Sequence, residues 1–207
     1  MPHGGSASQV GIMLVGKSLG PYIVDKELGS GAMGVRQGNI LVADTYNSRI
    51  RVLSPSGQPV DSWGESKGNG PGQFDHPSDV AIDHQGTVFV ADSRNARVQR
   101  LSPLGQVLGI WQRGVHGTEL ECPVGVAVDG EGNVYVADSA TVPRIVKLSP
   151  WGAWIESWAL PEVAGGGYVQ GLAVDAACSL YVTAYSTQNQ PLVVKLSPRG
   201  EVVAVWK

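Results

Sequence analysis

Residues 77–101 read PSDVAIDHQGTVFVADSRNARVQRL, and this stretch decides the fold. It contains three short strand-like runs, and a fourth follows shortly after it: Asp79–Asp83, Thr87–Asp92, Arg97–Leu101 and Gln106–Trp111. The first two runs are rich in Val, Ile and Phe, as is typical of strands that are buried on both faces. Between them, Asp83-His-Gln-Gly86 is typical of a tight turn, because Asp accepts local backbone hydrogen bonds and Gly adopts positive φ at no steric cost. The stretch predicts four antiparallel strands joined by tight turns.

The same unit occurs four times along the chain. The copies are GNILVADTYNSRIRVLSPSG from Gly38, GTVFVADSRNARVQRLSPLG from Gly86, GNVYVADSATVPRIVKLSPWG from Gly132 and CSLYVTAYSTQNQPLVVKLSPRG from Cys178. Their starts are 48, 46 and 46 residues apart, and a tryptophan follows each copy: Trp63, Trp111, Trp158 and Trp206. A repeat of this length that holds four antiparallel strands predicts the blade of a β-propeller.

The repeated pattern, P-x-G-[VL]-A-V-D-x-x-G-[NS]-[VL]-Y-V-A-D-x-x-N-x-R-[IV], resembles the NHL repeat. The resemblance covers residues 36–207 and implies an all-β fold with four blades, at 36–64, 74–112, 122–159 and 168–207. The third copy lacks the Asn, and Cys178 replaces the turn glycine of the fourth. In the first copy Val35 passes directly to Arg36, so three residues of the inner strand are missing and the blade is incomplete. Propellers of this family usually have about six blades. We therefore expect an open or partial propeller whose exposed blade faces favour self-association.

The head of the chain, residues 1–35, has a different resemblance. LVGKSLGPYIVDKELGSGAMGV, residues 14–35, resembles the start of a bacterial-type Ser/Thr protein kinase, with Gly29, Gly31 and Gly34 in the G-x-G-x-x-G loop that covers ATP phosphates. A kinase also needs a lysine on the third strand, an H-R-D loop and D-F-G, and none of them follows in order. The resemblance implies a nucleotide-binding remnant joined to the sensor propeller of a truncated receptor-type kinase. A disordered glycine-rich tail is the alternative.

Composition limits the classes of partner. The 207 residues carry a net charge of −3 with no run of like charges, which argues against nucleic acid as a partner. No apolar run is long enough for a signal peptide or a membrane span, so a cytoplasmic location is expected by default. The two cysteines, Cys122 and Cys178, are predicted to be free thiols on opposite faces of the propeller.

Two sets of side chains are candidates for chemistry. Asp44, Asp92 and Asp138 end the second strand of the first three copies, while Arg49, Arg97 and Arg144 open the third strand. A feature present in several blades favours a structural Asp–Arg bond over a ring of acid–base pairs. Two of the four histidines, His76 and His116, fall in loops that enter inner strands, and two are too few for a catalytic zinc site. No metal and no cofactor is therefore expected.

Specificity is expected where the blades differ, on the face that carries the loops between blades and between second and third strands. The candidate ligand-binding residues there are Tyr46, Asn47, Arg49, His76, Arg94, Asn95, His116 and Tyr185. They favour a non-catalytic module that recognises a protein, a peptide or a small ligand. The alternatives are enzymes: a Ser/Thr kinase remnant, or a hydrolase or lyase of the gluconolactonase or lyase type built on a six-bladed propeller. ATP binding tests the first alternative and bound metal tests the second.

Overall fold

The computed structural model describes residues 18–19, 22–23, 39–64, 66–112, 119–161, 163 and 165–207. A two-stranded hairpin, β1 (Ser18–Leu19) and β2 (Tyr22–Ile23), precedes four antiparallel sheets. Each sheet contains strands that follow one another in sequence, which is the arrangement of a propeller blade.

The four sheets are named blades I to IV in chain order. Blade I consists of β3 (Ile40–Asp44), β4 (Arg49–Leu53) and β5 (Pro59–Trp63). Blade II consists of β6 (Pro77–Ile82), β7 (Val88–Asp92), β8 (Arg97–Leu101) and β9 (Val107–Trp111). Blade III consists of β10 (Pro123–Val128), β11 (Val134–Asp138), β12 (Arg144–Leu148) and β13 (Trp154–Ala159). Blade IV consists of β14 (Tyr168–Val174), β15 (Leu180–Tyr185), β16 (Pro191–Leu196) and β17 (Val202–Trp206).

The fold predicted from the repeats is confirmed, and blade I has three strands within the described residues. The inner strand of blade II begins at Pro77, two residues before the predicted start, because Pro77 already pairs with Asp92. A β-bulge between Pro77 and Asp79 places an extra residue, Ser78, in the inner strand. The same bulge occurs in blades III and IV, next to Pro123 and Val169.

The tight turns form as their sequences predict. In the turn between the first two strands of blade II, the Gly86 N–H donates to the carbonyl oxygen of Asp83, and Gly86 has φ of +84°. The Asp83 carboxylate accepts the N–H groups of Gln85 and Thr87. Cys178 takes the corresponding place in blade IV with φ of +60°, so the substitution keeps the left-handed backbone conformation that glycine adopts elsewhere.

Three hydrophobic clusters lie between consecutive blades. Ile50, Phe74 and Leu101 belong to the cluster between blades I and II. Phe89 and Val136 belong to the one between blades II and III. The third lies between blades III and IV and includes Tyr135, Leu180 and Val194. No cluster of the described residues joins blade IV to blade I, so the blades form an open arc.

Candidate functional site on the loop face

One edge of the arc is formed by the connections between blades and by the loops from second to third strands; we call it the loop face. Hydrogen bonds hold the two kinds of loop together. The Asp75 N–H, just before blade II, donates to Oδ1 of Asp92 at 2.8 Å. The Cys122 N–H, just before blade III, donates to Oδ1 of Asp138 at 2.8 Å. In blades II and III the second strand therefore ends on a carboxylate that fixes the incoming connection.

The predicted Asp–Arg bond is present in three blades. Nε of Arg97 lies 2.7 Å from Oδ2 of Asp92, Nε of Arg49 lies 2.7 Å from Asp44, and Nη2 of Arg144 lies 2.8 Å from Asp138. In blade II the pair is buried, and the guanidinium also donates to three backbone carbonyls of the long connection, those of Asn69, Gly70 and Gln73. A buried charge held by this many partners has a structural role.

Two candidate asparagines contribute to the same arrangement. The Asn47 amide donates to Oδ1 of Asp44 at 2.7 Å. The Asn95 amide donates to Oδ2 of Asp92 at 2.9 Å and to the carbonyl of Gly68 at 2.8 Å. Each is the last residue of a short 3-10 turn, Thr45–Asn47 or Ser93–Asn95, and its side chain joins that turn to the carboxylate. A role for these amides in ligand contact stays a prediction.

Tyr46 and His76 come together across the boundary between blades I and II. Their ring centroids are 6.1 Å apart in an edge-to-face arrangement, and Tyr46 is 91% exposed. Nδ1 of His76 lies 2.7 Å from Oδ1 of Asp75, whose other oxygen lies 3.2 Å from Nζ of Lys67. The hydrogen bond from His76 lowers the pKa of Asp75 below its ordinary value, and Lys67 acts in the same direction. Arg94 is exposed beside them, with its backbone N–H bound to the Asp75 carbonyl.

His76 also has an unusual backbone conformation, with φ of +54° directly before Pro77. Non-glycine residues seldom adopt the left-handed region, and such strain is found preferentially at functional positions. Sequence inspection selected His76 for its loop position alone and gave no indication of this conformation.

Tyr185 stacks on Tyr168, a residue that sequence reasoning missed. The two ring centroids are 5.0 Å apart with an interplanar angle of 18°, and Tyr168 is exposed. Blade IV has Ala184 where the preceding blades have the carboxylate. The sequence did contain a signal, because Tyr168 is the counterpart of His76 and Cys122, which immediately precede the inner strands of their blades.

Three further polar side chains were missed, and they join blades II and III. The hydroxyls of Ser78 and Ser93 both donate to the carbonyl of Pro123, at 3.2 and 2.7 Å. Oδ2 of Asp79 accepts the N–H of Val126 at 2.8 Å. These bonds cross between repeats, so comparing positions within a repeat does not reveal them.

Several predicted residues fall outside the described part of the chain: His116, together with Gly29, Gly31 and Gly34 of the kinase-like head. Among the residues that the structure describes, no three His, Cys, Asp or Glu side chains are grouped as a metal site would require. The described segments also include no helix with the length and hydrophobicity that crossing a bilayer demands.

Both cysteines are free thiols, as predicted. Cys122 lies at the loop face, where burial and then the nearby Asp138 carboxylate raise its pKa. Cys178 lies in the turn at the opposite edge, where its N–H donates to the carbonyl of Asp175 and burial raises its pKa.

Comparison with known proteins supports the propeller fold. The family model described as the NHL repeat matches residues 74–101. A search of curated proteins finds no match. Hydrazine synthase from Kuenenia stuttgartiensis superimposes with a TM-score of 0.62 at 12% identity, covering 81% of this chain and 45% of the solved one. A putative gluconolactonase superimposes with a TM-score of 0.61 at 17% identity, covering 81% of this chain and 59% of the solved one. Virginiamycin B lyase from Staphylococcus aureus superimposes with a TM-score of 0.62 at 11% identity, covering 88% of this chain and 56% of the solved one.

The chain thus spans about half the length of the solved chains that it matches. Identities this low show a shared fold and nothing more. The kinase-like head lies outside the family match, which falls wholly within blade II and the connection before it. The chain is an all-β protein with an open, four-bladed β-propeller fold that contains an NHL repeat.

Proposed function

We propose that the chain is a non-catalytic binding module that recognises a protein or a peptide on its loop face. The observation that carries the proposal is the Tyr46–His76 pair, which combines an almost fully exposed aromatic ring with a strained histidine at a blade boundary. Neither ring takes part in the Asp–Arg bonds that hold the blades. Tyrosine is enriched where proteins bind one another, because it offers a large contact area and a polar end at little entropic cost.

The contrast between recurring and blade-specific residues supports this assignment. The recurring Arg97 turns inward and satisfies its donors on the blade itself. Residues that differ between blades, such as Tyr46 and Arg94, turn outward at the loop face. Loops held by a rigid scaffold are where binding residues usually lie.

A second aromatic surface lies on the loop face of blade IV, where Tyr168 stacks on Tyr185. Stacked tyrosines present a flat apolar area with hydroxyl groups at its rim, which suits a proline or an aromatic side chain of a peptide. This aromatic surface and the Tyr46–His76 pair together favour a peptide ligand that runs across several blades.

Selection from a displayed random-peptide library would test the proposal. The unmodified chain is expected to enrich peptides whose binding falls at least tenfold in the Tyr46→Ser and His76→Ala variants. Trp151→Ser is the matched control, because Trp151 is 76% exposed in the hairpin at the opposite edge of blade III. Peptides that bind all these variants equally, or that respond to Trp151→Ser alone, would place the site elsewhere.

The enzymatic alternative is tested with the same preparation. Two of the solved propellers carry the names of a lactonase and a lyase, so opening of gluconolactone and cleavage of virginiamycin B are the reactions to assay. No turnover is expected with or without added divalent metal. Sustained turnover that scales with the amount of chain would contradict the non-catalytic assignment.

A further inference from the structure

The loop face carries a positive charge without a partner at the boundary between blades I and II. Three carboxylates there are each paired with a cation: Asp44 with Arg49, Asp92 with Arg97, and Asp75 with Lys67. A further cation, Arg94, is exposed, and its guanidinium forms no hydrogen bond or ion pair with any residue that the structure describes. Arg94 therefore contributes a positive charge that no described carboxylate neutralises by contact.

Arg94 has the same place in blade II as Tyr46 has in blade I. Each is the middle residue of the 3-10 turn that links the second strand to the third, Thr45–Asn47 in blade I and Ser93–Asn95 in blade II. Both side chains are exposed. The asparagine that ends each turn is bound to the scaffold, whereas the middle residue changes from an aromatic ring to a guanidinium. This position therefore presents a different chemical group to a ligand on each of two neighbouring blades.

The connection that enters blade II links these two side chains to a second cation. His76 contacts the Tyr46 ring, with centroids 6.1 Å apart, and the backbone N–H of Arg94 donates to the carbonyl of Asp75 at 3.1 Å. The Asp75 carboxylate lies 3.2 Å from Nζ of Lys67, whose side chain is 59% exposed. An aromatic ring, an imidazole and two cationic groups are thus joined through the short segment 75–76.

The backbone next to both cations is fixed by hydrogen bonds. The Asn95 amide joins the carboxylate of Asp92 to the carbonyl of Gly68, the residue that follows Lys67. The N–H of Gly68 donates in turn to the Phe74 carbonyl at 3.1 Å. A cation on an ordered backbone loses less conformational entropy when it pairs with a ligand than a cation on a mobile loop does.

The next boundary, between blades II and III, carries acidic side chains among the described residues. Glu119 and Glu121 are both exposed there, shortly before the inner strand of blade III. Oε2 of Glu121 accepts the N–H and the hydroxyl of Thr141, at 3.2 and 3.3 Å, so this carboxylate is held at the loop face. A continuous polyanion such as a nucleic acid would be repelled where it crossed from one boundary to the other. A single carboxylate on a peptide can pair at the first boundary and avoid the second.

We propose that the peptide recognised on the loop face carries an Asp or Glu side chain that pairs with Arg94 and Lys67, close to an apolar residue that contacts the Tyr46 ring. This inference rests on the proposed peptide-binding function and specifies the chemistry of its ligand. The Arg94 guanidinium offers a planar pair of N–H donors that fits both oxygens of a carboxylate, and the Lys67 ammonium adds a second positive charge. The acidic boundary at blade III sets the position of the peptide, because its carboxylate is favoured only beside blades I and II.

The probes are the peptides that the unmodified chain selects from the displayed library, synthesised with amidated C-termini so that only side chains supply carboxylates. Asp and Glu should be enriched in them relative to the input library, and replacing that residue by Asn or Gln should weaken binding about tenfold. Arg94→Gln should weaken binding of the acidic peptide to a similar extent. Arg199→Gln is the matched control, because Arg199 is exposed in the outer hairpin of blade IV at the opposite edge and its replacement removes the same charge.

A reversal of charge distinguishes direct pairing from a loss of structure. Arg94→Glu should reject the acidic peptide and should prefer the version in which Lys replaces the Asp or Glu, which a damaged fold would not do. Circular dichroism of each variant checks that the blades remain folded.

The outcomes separate this inference from the proposed function. Peptides that depend on Tyr46 but contain no excess of acidic residues, or that bind the Arg94→Gln and Arg199→Gln chains equally, would overturn the inference and leave peptide binding intact. Displacement of the peptides by a single-stranded RNA oligonucleotide would also overturn it, since a polyanion would then be the ligand. Failure to select any peptide, or peptides that are insensitive to Tyr46→Ser, would contradict both.

Discussion

Nε of Arg97 lies 2.7 Å from Oδ2 of Asp92, and both side chains are almost wholly buried, with 2% and 0% of their surface exposed. The corresponding Arg49 of blade I keeps the 2.7 Å distance to Asp44 but is 30% exposed. The same bond is therefore formed in two different dielectric environments. Its removal takes the counter-charge from a carboxylate that lies in a dry interior in one blade and in a partly hydrated site in the other.

Arg97→Ala should consequently lower the free energy of unfolding by about 3–5 kcal/mol, because Asp92 loses its counter-charge and the guanidinium no longer donates to three backbone carbonyls. Arg49→Ala should cost about 1–2 kcal/mol, since water reaches that site. Urea denaturation followed by circular dichroism measures both. Equal losses in the two variants, or unchanged stability with lost peptide binding in Arg97→Ala, would move Arg97 from the scaffold to the binding site.

The close contact between the Trp63 ring and Gly105 makes a second prediction about stability. Gly105→Ala should lower the free energy of unfolding by about 2–3 kcal/mol, because the methyl group would collide with Trp63 and the backbone has φ of +77°. Gly130→Ala is the matched control, since nothing lies within 4 Å of an added Cβ there. Its effect should stay within about 0.5 kcal/mol. If Gly105→Ala left the free energy of unfolding unchanged in the same denaturation series, the Trp63 indole would be shown to move away at little cost.

Local repetition made much of the fold predictable. Each tight turn needs an acceptor and a residue that tolerates positive φ, and Asp83 with Gly86 supplies both within four residues. The Asp92–Arg97 bond was likewise deducible, because both residues recur and lie five positions apart. Such contacts depend only on the backbone of one hairpin, so the sequence specifies them directly.

Contacts between blades were not deducible in the same way. The Tyr46–His76 contact and the bond from Ser93 to Pro123 join residues 30 positions apart, and their geometry depends on how neighbouring sheets pack. The stacking of Tyr168 on Tyr185 arises within one blade but replaces the usual carboxylate, so the repeat pattern conceals it. The candidate site was therefore located by face and was only partly identified by residue.

The kinase-like head leads to a prediction about nucleotides. The chain should bind Mg-ATP no tighter than about 1 mM, because a glycine loop supplies only backbone N–H donors. Tight binding and phosphoryl transfer need a lysine, metal ions and an aspartate base, which do not follow Gly34 in order. Isothermal calorimetry measures the affinity, and micromolar binding that disappears in Gly31→Val would mean that the loop is a working site.

The hydrogen bond between His76 and Asp75 makes a prediction about pH. Because the pKa of Asp75 is lowered in the folded chain, the stabilisation from its charged form is present above the unfolded value of about 3.8. It should be lost as the pH falls through the lower folded value. The His76→Ala variant should raise the pKa of Asp75, because the largest cause of the shift is removed. Titration of the carboxyl carbon by NMR measures this directly.

Asp175 supplies the control for that titration. Its pKa is also lowered, chiefly by the N–H of Ser179 in the turn at the opposite edge, which His76→Ala does not touch. The signal of Asp175 should therefore titrate identically in both proteins, while that of Asp75 shifts upward. A joint shift of the two would indicate a general loss of structure, and an unmoved Asp75 would show that Lys67, at 3.2 Å, is enough to hold the carboxylate charged.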